Sequence, residues 1–219
     1  MVSISEKIDK VNGAIGRLGQ AENVRLVAVS KTVPAETIKV AYDAGQRVFG
    51  ENRIDVLVPK VDVLPSDIEW HFIGNLQSRK LRQIIQNSSW IHSVDALDKI
   101  GKIDRVCGEE NKPVKFLIQV NVSGEEAKHG FTSNEAREAV ELALKCENAT
   151  CCGLMTMAPF VSEDDELREV FAGLRKLRDE LEAELNCKLP ELSMGMSNDY
   201  EIALQEGATM IRVGSSIFA

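Results

Sequence analysis

Histidine, aromatic residues and long apolar runs are all scarce in this chain, and each shortage excludes something. There are three histidines. His71 and His92 contribute one each from neighbouring predicted strands, with no spaced carboxylate or cysteine pair beside them, so no metal site is expected. The five cysteines are odd in number and lack Cys-x-x-Cys spacing. That pattern suits free thiols acting as small hydrophobes in a reducing compartment, not a disulfide framework. Cys151 and Cys152 are adjacent in a predicted strand and should face opposite sides of it. No apolar stretch approaches the roughly 20 residues of a membrane span. Residues 1–20 are amphipathic and not signal-like, so an intracellular, cytoplasmic chain is expected. On that reading the Asn-x-Ser/Thr matches at Asn87, Asn121 and Asn148 arise by chance. A basic surplus is missing too: the net charge is −8, which argues against nucleic-acid binding.

What is present is an ordinary globular composition, 44% hydrophobic and 27% charged over 219 residues. That is enough for one well-buried domain and sits at the lower end of the range for an eightfold α/β barrel. No repeat, low-complexity tract or linker interrupts it, so one domain over 1–219 is expected, with a helix in 1–20 and an α/β body over 25–219. Ile4, Ile8, Val11, Ile15 and Leu18 recur at helical spacing. Beyond them, short β-rich runs at about 25–30, 47–50, 69–73, 90–94, 114–121, 150–155, 190–194 and 209–213 alternate with helical patterns. The helical patterns fall at about 35–44, 52–62, 78–86, 95–110, 133–146, 163–185 and 198–206. Pro34 falls in a first turn, Asp95 and Ser133 stand where N-caps belong, and Ser162 leads an acidic first turn. Strands alternating with helices imply parallel pairing. The near-continuous apolar runs Leu26–Val29 and Phe116–Val120 suit strands covered on both faces. A single (β/α)8 TIM barrel with an extra N-terminal helix is the expected fold, and an open doubly wound sheet is the alternative. The acidic helix over 163–185 carries Leu167, Val170, Phe171, Leu174, Leu177 and Leu181 on one face, as an outer helix packed on the barrel should.

Barrel chemistry sits at the C-terminal ends of the strands. Lys31 ends the apolar run that begins at Val24. A lysine where a buried strand runs out can lose solvation, which leaves its amine nucleophilic toward a carbonyl; a snorkelling surface lysine is the plain alternative. At the far end of the chain, Ser193–Asp199 precedes a helix, and Arg212 leads into Gly214-Ser215-Ser216. Such segments hold a phosphate on backbone N–H groups. An amine, a phosphate cradle and a fixed cation together suit a phosphorylated aldehyde.

Val29–Thr32, Phe49–Asn52, His71–Gln77, Gly153–Met157, Ser193–Ser197 and Ile211–Gly214, taken together and in order, resemble the pyridoxal phosphate homeostasis proteins. These are single-domain barrels similar to the N-terminal domain of alanine racemase, and the likeness runs from about residue 25 to 219. The resemblance implies that Lys31 forms a Schiff base with pyridoxal 5′-phosphate (PLP). It further implies that Ser197, backbone groups near Met196, Gly214 and Ser215 hold the phosphate. Ser215 stands where family members often carry threonine, and it preserves the donor. Arg212 would face the pyridine nitrogen. A guanidinium has no acceptor, so that nitrogen stays unprotonated and the ring is a poorer electron sink. Asn52 would lie near the ring or the lysine, with a helix N-cap as its plain reading. His71 would point into the barrel beside the cofactor, with a satisfied interior histidine as the alternative.

Two functions follow from the resemblance. One is a protein that holds and releases PLP without substantial turnover, with apo PLP-dependent enzymes as recipients. The other is an alanine-type racemase. Two-base racemisation needs a second acid/base group opposite the lysine. In alanine racemase that tyrosine comes from a C-terminal domain of the partner subunit, whereas this chain ends at Ala219, directly after the eighth predicted strand. Its two tyrosines, Tyr42 and Tyr200, fall in predicted helices, and Tyr200 is the only imaginable stand-in. The carrier reading, no enzyme activity and a monomer are therefore expected. The loop Ser123–Gly130, with Lys128 and His129, is a candidate cover for the site.

Overall fold

The computed structural model describes residues 2–19, 24–124, 129–159 and 163–219. Its eight strands are β1 (Arg25–Val29), β2 (Val48–Glu51), β3 (Glu69–Phe72), β4 (Trp90–Val94), β5 (Val114–Gln119), β6 (Ala149–Met155), β7 (Glu191–Met196) and β8 (Met210–Val213). They pair in sequence order into a closed barrel. Parallel pairing of β1 with β8, Arg25 opposite Met210, closes the ring and rules out the open sheet.

Helices follow the strands: α1 (Ile4–Leu18) before the barrel, then α2 (Ala35–Asp43), α3 (Ile54–Val63), α4 (Leu81–Asn87), α5 (Leu97–Glu110), α6 (Ser133–Ala143), α7 (Asp164–Leu185), α8 (Tyr200–Gln205) and α9 (Ser215–Phe218). A 3₁₀ turn at Ser78–Lys80 opens the stretch expected as one helix over 78–86, and the short α9 was not foreseen. Two N-cap expectations are corrected. Thr132 caps α6, one residue before Ser133, in a reciprocal box with Glu135. Ala96 occupies the cap of α5, and Asp95 instead pairs with Lys99 at 2.5 Å. Ser162 and Lys128 lie outside the described residues. Thr132→Ala removes an acceptor for the Glu135 N–H, so a loss of about 1 kcal/mol in urea unfolding is expected.

Apolar strand faces pack outward against the helices. Phe49, Phe72, Phe116 and Phe171 are all buried in this outer shell, the last on α7. The barrel interior holds a smaller cluster of Trp90, Leu117, Met155 and Met210. Cys151 belongs to the outer shell and Cys152 packs on the inner cluster, on opposite faces as expected. Burial pushes the Cys107 and Cys151 thiols up to about 11 and about 12, which keeps them inert. Among the described residues no helix is long and apolar enough to cross a membrane.

Candidate functional site

A cavity of about 760 Å³ opens at the C-terminal ends of the strands. The turn after β1 brings Lys31 to it, β2 and its loop bring Asn52, β7 brings Met196 and Ser197, and β8 with the start of α9 brings Arg212, Gly214 and Ser215. Seven of the eight residues expected at the site thus line one space, although they come from the two ends of the chain.

Lys31 is exposed, so the desolvation anticipated at a strand end is not what equips it; its position over the cavity is. Ser197 and the β8–α9 junction form a small knot. The Ser197 hydroxyl accepts from the backbone N–H groups of Gly214 at 3.1 Å and Ser216 at 3.4 Å, while the Ser216 hydroxyl donates to the Ser197 carbonyl. A Cβ at Gly214 would stand 3.1 Å from the Val29 carbonyl oxygen, so glycine lets this turn close against β1. The Met196 N–H is already committed to Asp199 Oδ1 at 2.5 Å, so that amide is not free for a phosphate. Burial raises the pKa of this carboxyl, which also lines the cavity.

Arg212 is buried beneath the cavity. Its Nη1 donates to Ser193 Oγ at 2.7 Å and its Nη2 to the Thr156 carbonyl at 2.9 Å. Burial brings its pKa down to about 10, which leaves it a fixed cation at neutral pH. Asn52 is not a cap, since Arg53 holds that position in α3. Gly74 approaches it so closely that a Cβ there would lie 1.9 Å from the Asn52 carbonyl oxygen.

His71 does not reach the cavity. It is fully buried inside the barrel, with Nδ1 2.8 Å from His92 Nε2 and Nε2 2.7 Å from Glu69 Oε1. The satisfied interior histidine is thus the reading the geometry supports. Burial lowers the pKa of His71 below its ordinary 6.5 and that of His92 well below it. Above pH 6.5 folded and unfolded chains both leave these imidazoles neutral. As the pH falls from there the unfolded chain takes up protons that the folded chain refuses, so stability declines by up to about 1.4 kcal/mol per pH unit for each histidine. Urea midpoints at pH 7.5 and 5.5 check this, and His92→Gln should shrink the difference.

Sequence reasoning missed a buried ion pair behind Lys31. Lys60 Nζ reaches from α3 to Glu51 Oε1 at 2.7 Å and to the Ser30 carbonyl at 2.9 Å, and Ser30 Oγ donates to the same carboxylate at 2.6 Å. It also missed the charged floor of the barrel, where Arg25 Cζ and Lys115 Nζ stand 4.5 Å and 5.2 Å from the Trp90 ring centroid. Tyr42 bonds Asp67, and Tyr200 is packed into the core with its hydroxyl 3.4 Å from Glu201 Oε1. Neither lines the cavity.

An amine over the cavity, a cation beneath it and a serine–glycine knot at its rim define a (β/α)8 barrel whose candidate site lies at the C-terminal ends of its strands. Residues 10–219 match the family described as alanine racemase, N-terminal domain. The pyridoxal phosphate homeostasis protein of Aquifex aeolicus is 40% identical over 217 residues, 98% of this chain and 95% of that protein. The chain belongs to the pyridoxal phosphate homeostasis protein family. PipY of Synechococcus elongatus, solved with PLP bound, has a TM-score of 0.90 and 36% identity over 99% of this chain and 100% of its own. An alanine racemase from Clostridium difficile, at 13% identity and a TM-score of 0.80, shares the fold over 99% of this chain but only 59% of its own.

Proposed function

We propose that this protein holds PLP in the cavity through the Lys31 amine and releases it to apo PLP-dependent enzymes without substantial turnover, as a cytoplasmic monomer. The observation that carries the reading is the convergence of Lys31, Ser197, Gly214, Ser215 and Arg212 on one cavity. These residues fit the group: the Ser197 and Ser215 hydroxyls at the cavity rim suit a phosphate, and a permanent cation without acceptors suits an unprotonated ring nitrogen. When bound, PLP supplies an aldehyde that reacts with primary amines and a ring that withdraws electrons. Lys31 would anchor it, Ser197 and Ser215 would grip its phosphate, Asn52 would flank it, and Arg212 would hold the ring nitrogen neutral. The cavity wall carries no tyrosine to serve as an acid/base group opposite Lys31, which favours a carrier over a racemase.

The test is an absorbance spectrum of the PLP-loaded protein, followed by borohydride reduction and peptide mass mapping. A near-visible band fixed by reduction onto Lys31 is the expected result, and Lys31→Ala should lose both band and label. No band with added PLP would overturn the reading. Interconversion of alanine enantiomers at rates typical of enzymes would restore the racemase.

A further inference from the structure

A run of buried polar side chains crosses the barrel from beneath the cavity to the opposite mouth, and only its upper end enters the reading above. Arg212 Nη1 stands 2.7 Å from Ser193 Oγ, which stands 2.9 Å from His92 Nδ1. His92 Nε2 stands 2.8 Å from His71 Nδ1, and His71 Nε2 2.7 Å from Glu69 Oε1. Ser193, His92 and His71 are fully buried, while Glu69, at the start of β3, has 39% of its side chain exposed.

The two ends fix the direction of every link. A guanidinium only donates and an ionised carboxylate only accepts. Arg212 therefore gives a hydrogen to Ser193, and the Ser193 hydroxyl gives its own to His92 Nδ1. His92 is thus the Nε2–H tautomer and donates to His71 Nδ1. His71, also Nε2–H, donates to Glu69. Reversing one link would set two donors or two acceptors face to face in a dry interior. With His71 Nδ1 and His92 Nε2 facing each other at 2.8 Å, this arrangement leaves no room for an ion between the two imidazoles.

We propose that Ser193, His92, His71 and Glu69 form a one-way hydrogen-bond relay that fixes the plane of the Arg212 guanidinium beneath the cavity, so that the grip of this arginine on the PLP ring is set from the far mouth of the barrel. The proposal rests on the reading of the cavity as a PLP site. The four are positioning residues, since none of them lines the cavity.

Two measurements test it. In the ligand-free protein at pH 7.5, histidine side-chain nitrogen NMR should show His71 and His92 neutral and protonated at Nε2; an Nδ1–H tautomer or an imidazolium at either would overturn the relay whether or not PLP binds. In absorbance titrations, Ser193→Ala should weaken PLP binding about tenfold, the loss of one charge-assisted hydrogen bond, while borohydride still fixes the label on Lys31. Glu69→Leu removes the terminal acceptor and should weaken binding in the same direction. Glu69→Gln keeps an acceptor for His71 and should bind as wild type does. Wild-type affinity in both Ser193→Ala and Glu69→Leu would overturn the role toward the ring, and if Ser193→Ala fails to fold the two Glu69 variants decide it. Failure of the wild type to take up PLP would overturn the site reading and that role with it, while the nitrogen spectrum still judges the relay itself.

Discussion

Replacing Lys60 with methionine is expected to lower the unfolding free energy by roughly 3–5 kcal/mol, the cost of leaving a buried carboxylate without its partner. Glu51 is fully buried, and its Oε2 is the one buried side-chain nitrogen or oxygen among the described residues with no hydrogen-bond partner. Its other oxygen takes Lys60 and Ser30 together, so removing the ammonium leaves that charge one hydroxyl donor in a dry site. The second consequence is local. Lys60 also holds the Ser30 carbonyl, the peptide group that leads into Lys31, so the variant should bind PLP more weakly even where it remains folded. The control is Glu51→Gln with Lys60→Met, which removes both charges and should recover most of the lost stability, because an uncharged pair is far cheaper to bury than a lone ion. Urea unfolding decides it. A single variant that loses less than about 1 kcal/mol would mean that water reaches the carboxylate.

Why this pair escaped a reading of the sequence is instructive beside what did not. Strand alternation, the closing position of β8 and the helical faces are periodic signals carried by many residues at once, and they placed all eight strands within a few residues of where they lie. Lys31 and Ser197 were legible because loop residues at strand ends are the ones a barrel presents to its mouth, and Arg212 because it stands near the C-terminal end of the last strand. Lys60 gave no such signal: a lysine after Pro59 in a helical pattern reads as solvated, and only the closed barrel brings it to a carboxylate nine residues earlier. His71 shows the opposite error. Its strand position was right, but register decides whether an inward side chain faces the cavity or the layer below. That depends on barrel stagger, which a single sequence does not reveal. The Ser193–His92 contact joins residues 101 apart, and no local pattern encodes it.

Glycine substitutions should separate backbone packing from helix propensity with opposite signs in the same molecule. Gly74→Ala would place a Cβ 1.9 Å from the Asn52 carbonyl oxygen and 2.6 Å from its carbonyl carbon. Both are main-chain atoms, so neither can swing aside as a side chain would. Relief requires the ends of β2 and β3 to part, and forcing extra atoms into a packed site typically costs about 1–3 kcal/mol and occasionally more. A loss near the top of that range is expected. The displaced element is the one that carries Asn52 to the cavity, so PLP retention should fall together with stability. Gly101→Ala, in the middle of α5, meets nothing within 4 Å. There the new methyl group only reduces the freedom of the unfolded chain, and a gain of about 0.5–1 kcal/mol is expected. Paired urea titrations and PLP titrations on the two variants check both signs. A Gly74→Ala protein with wild-type stability would mean that the β2–β3 rim is loose enough to yield, and Asn52 would then have no fixed place beside the cofactor.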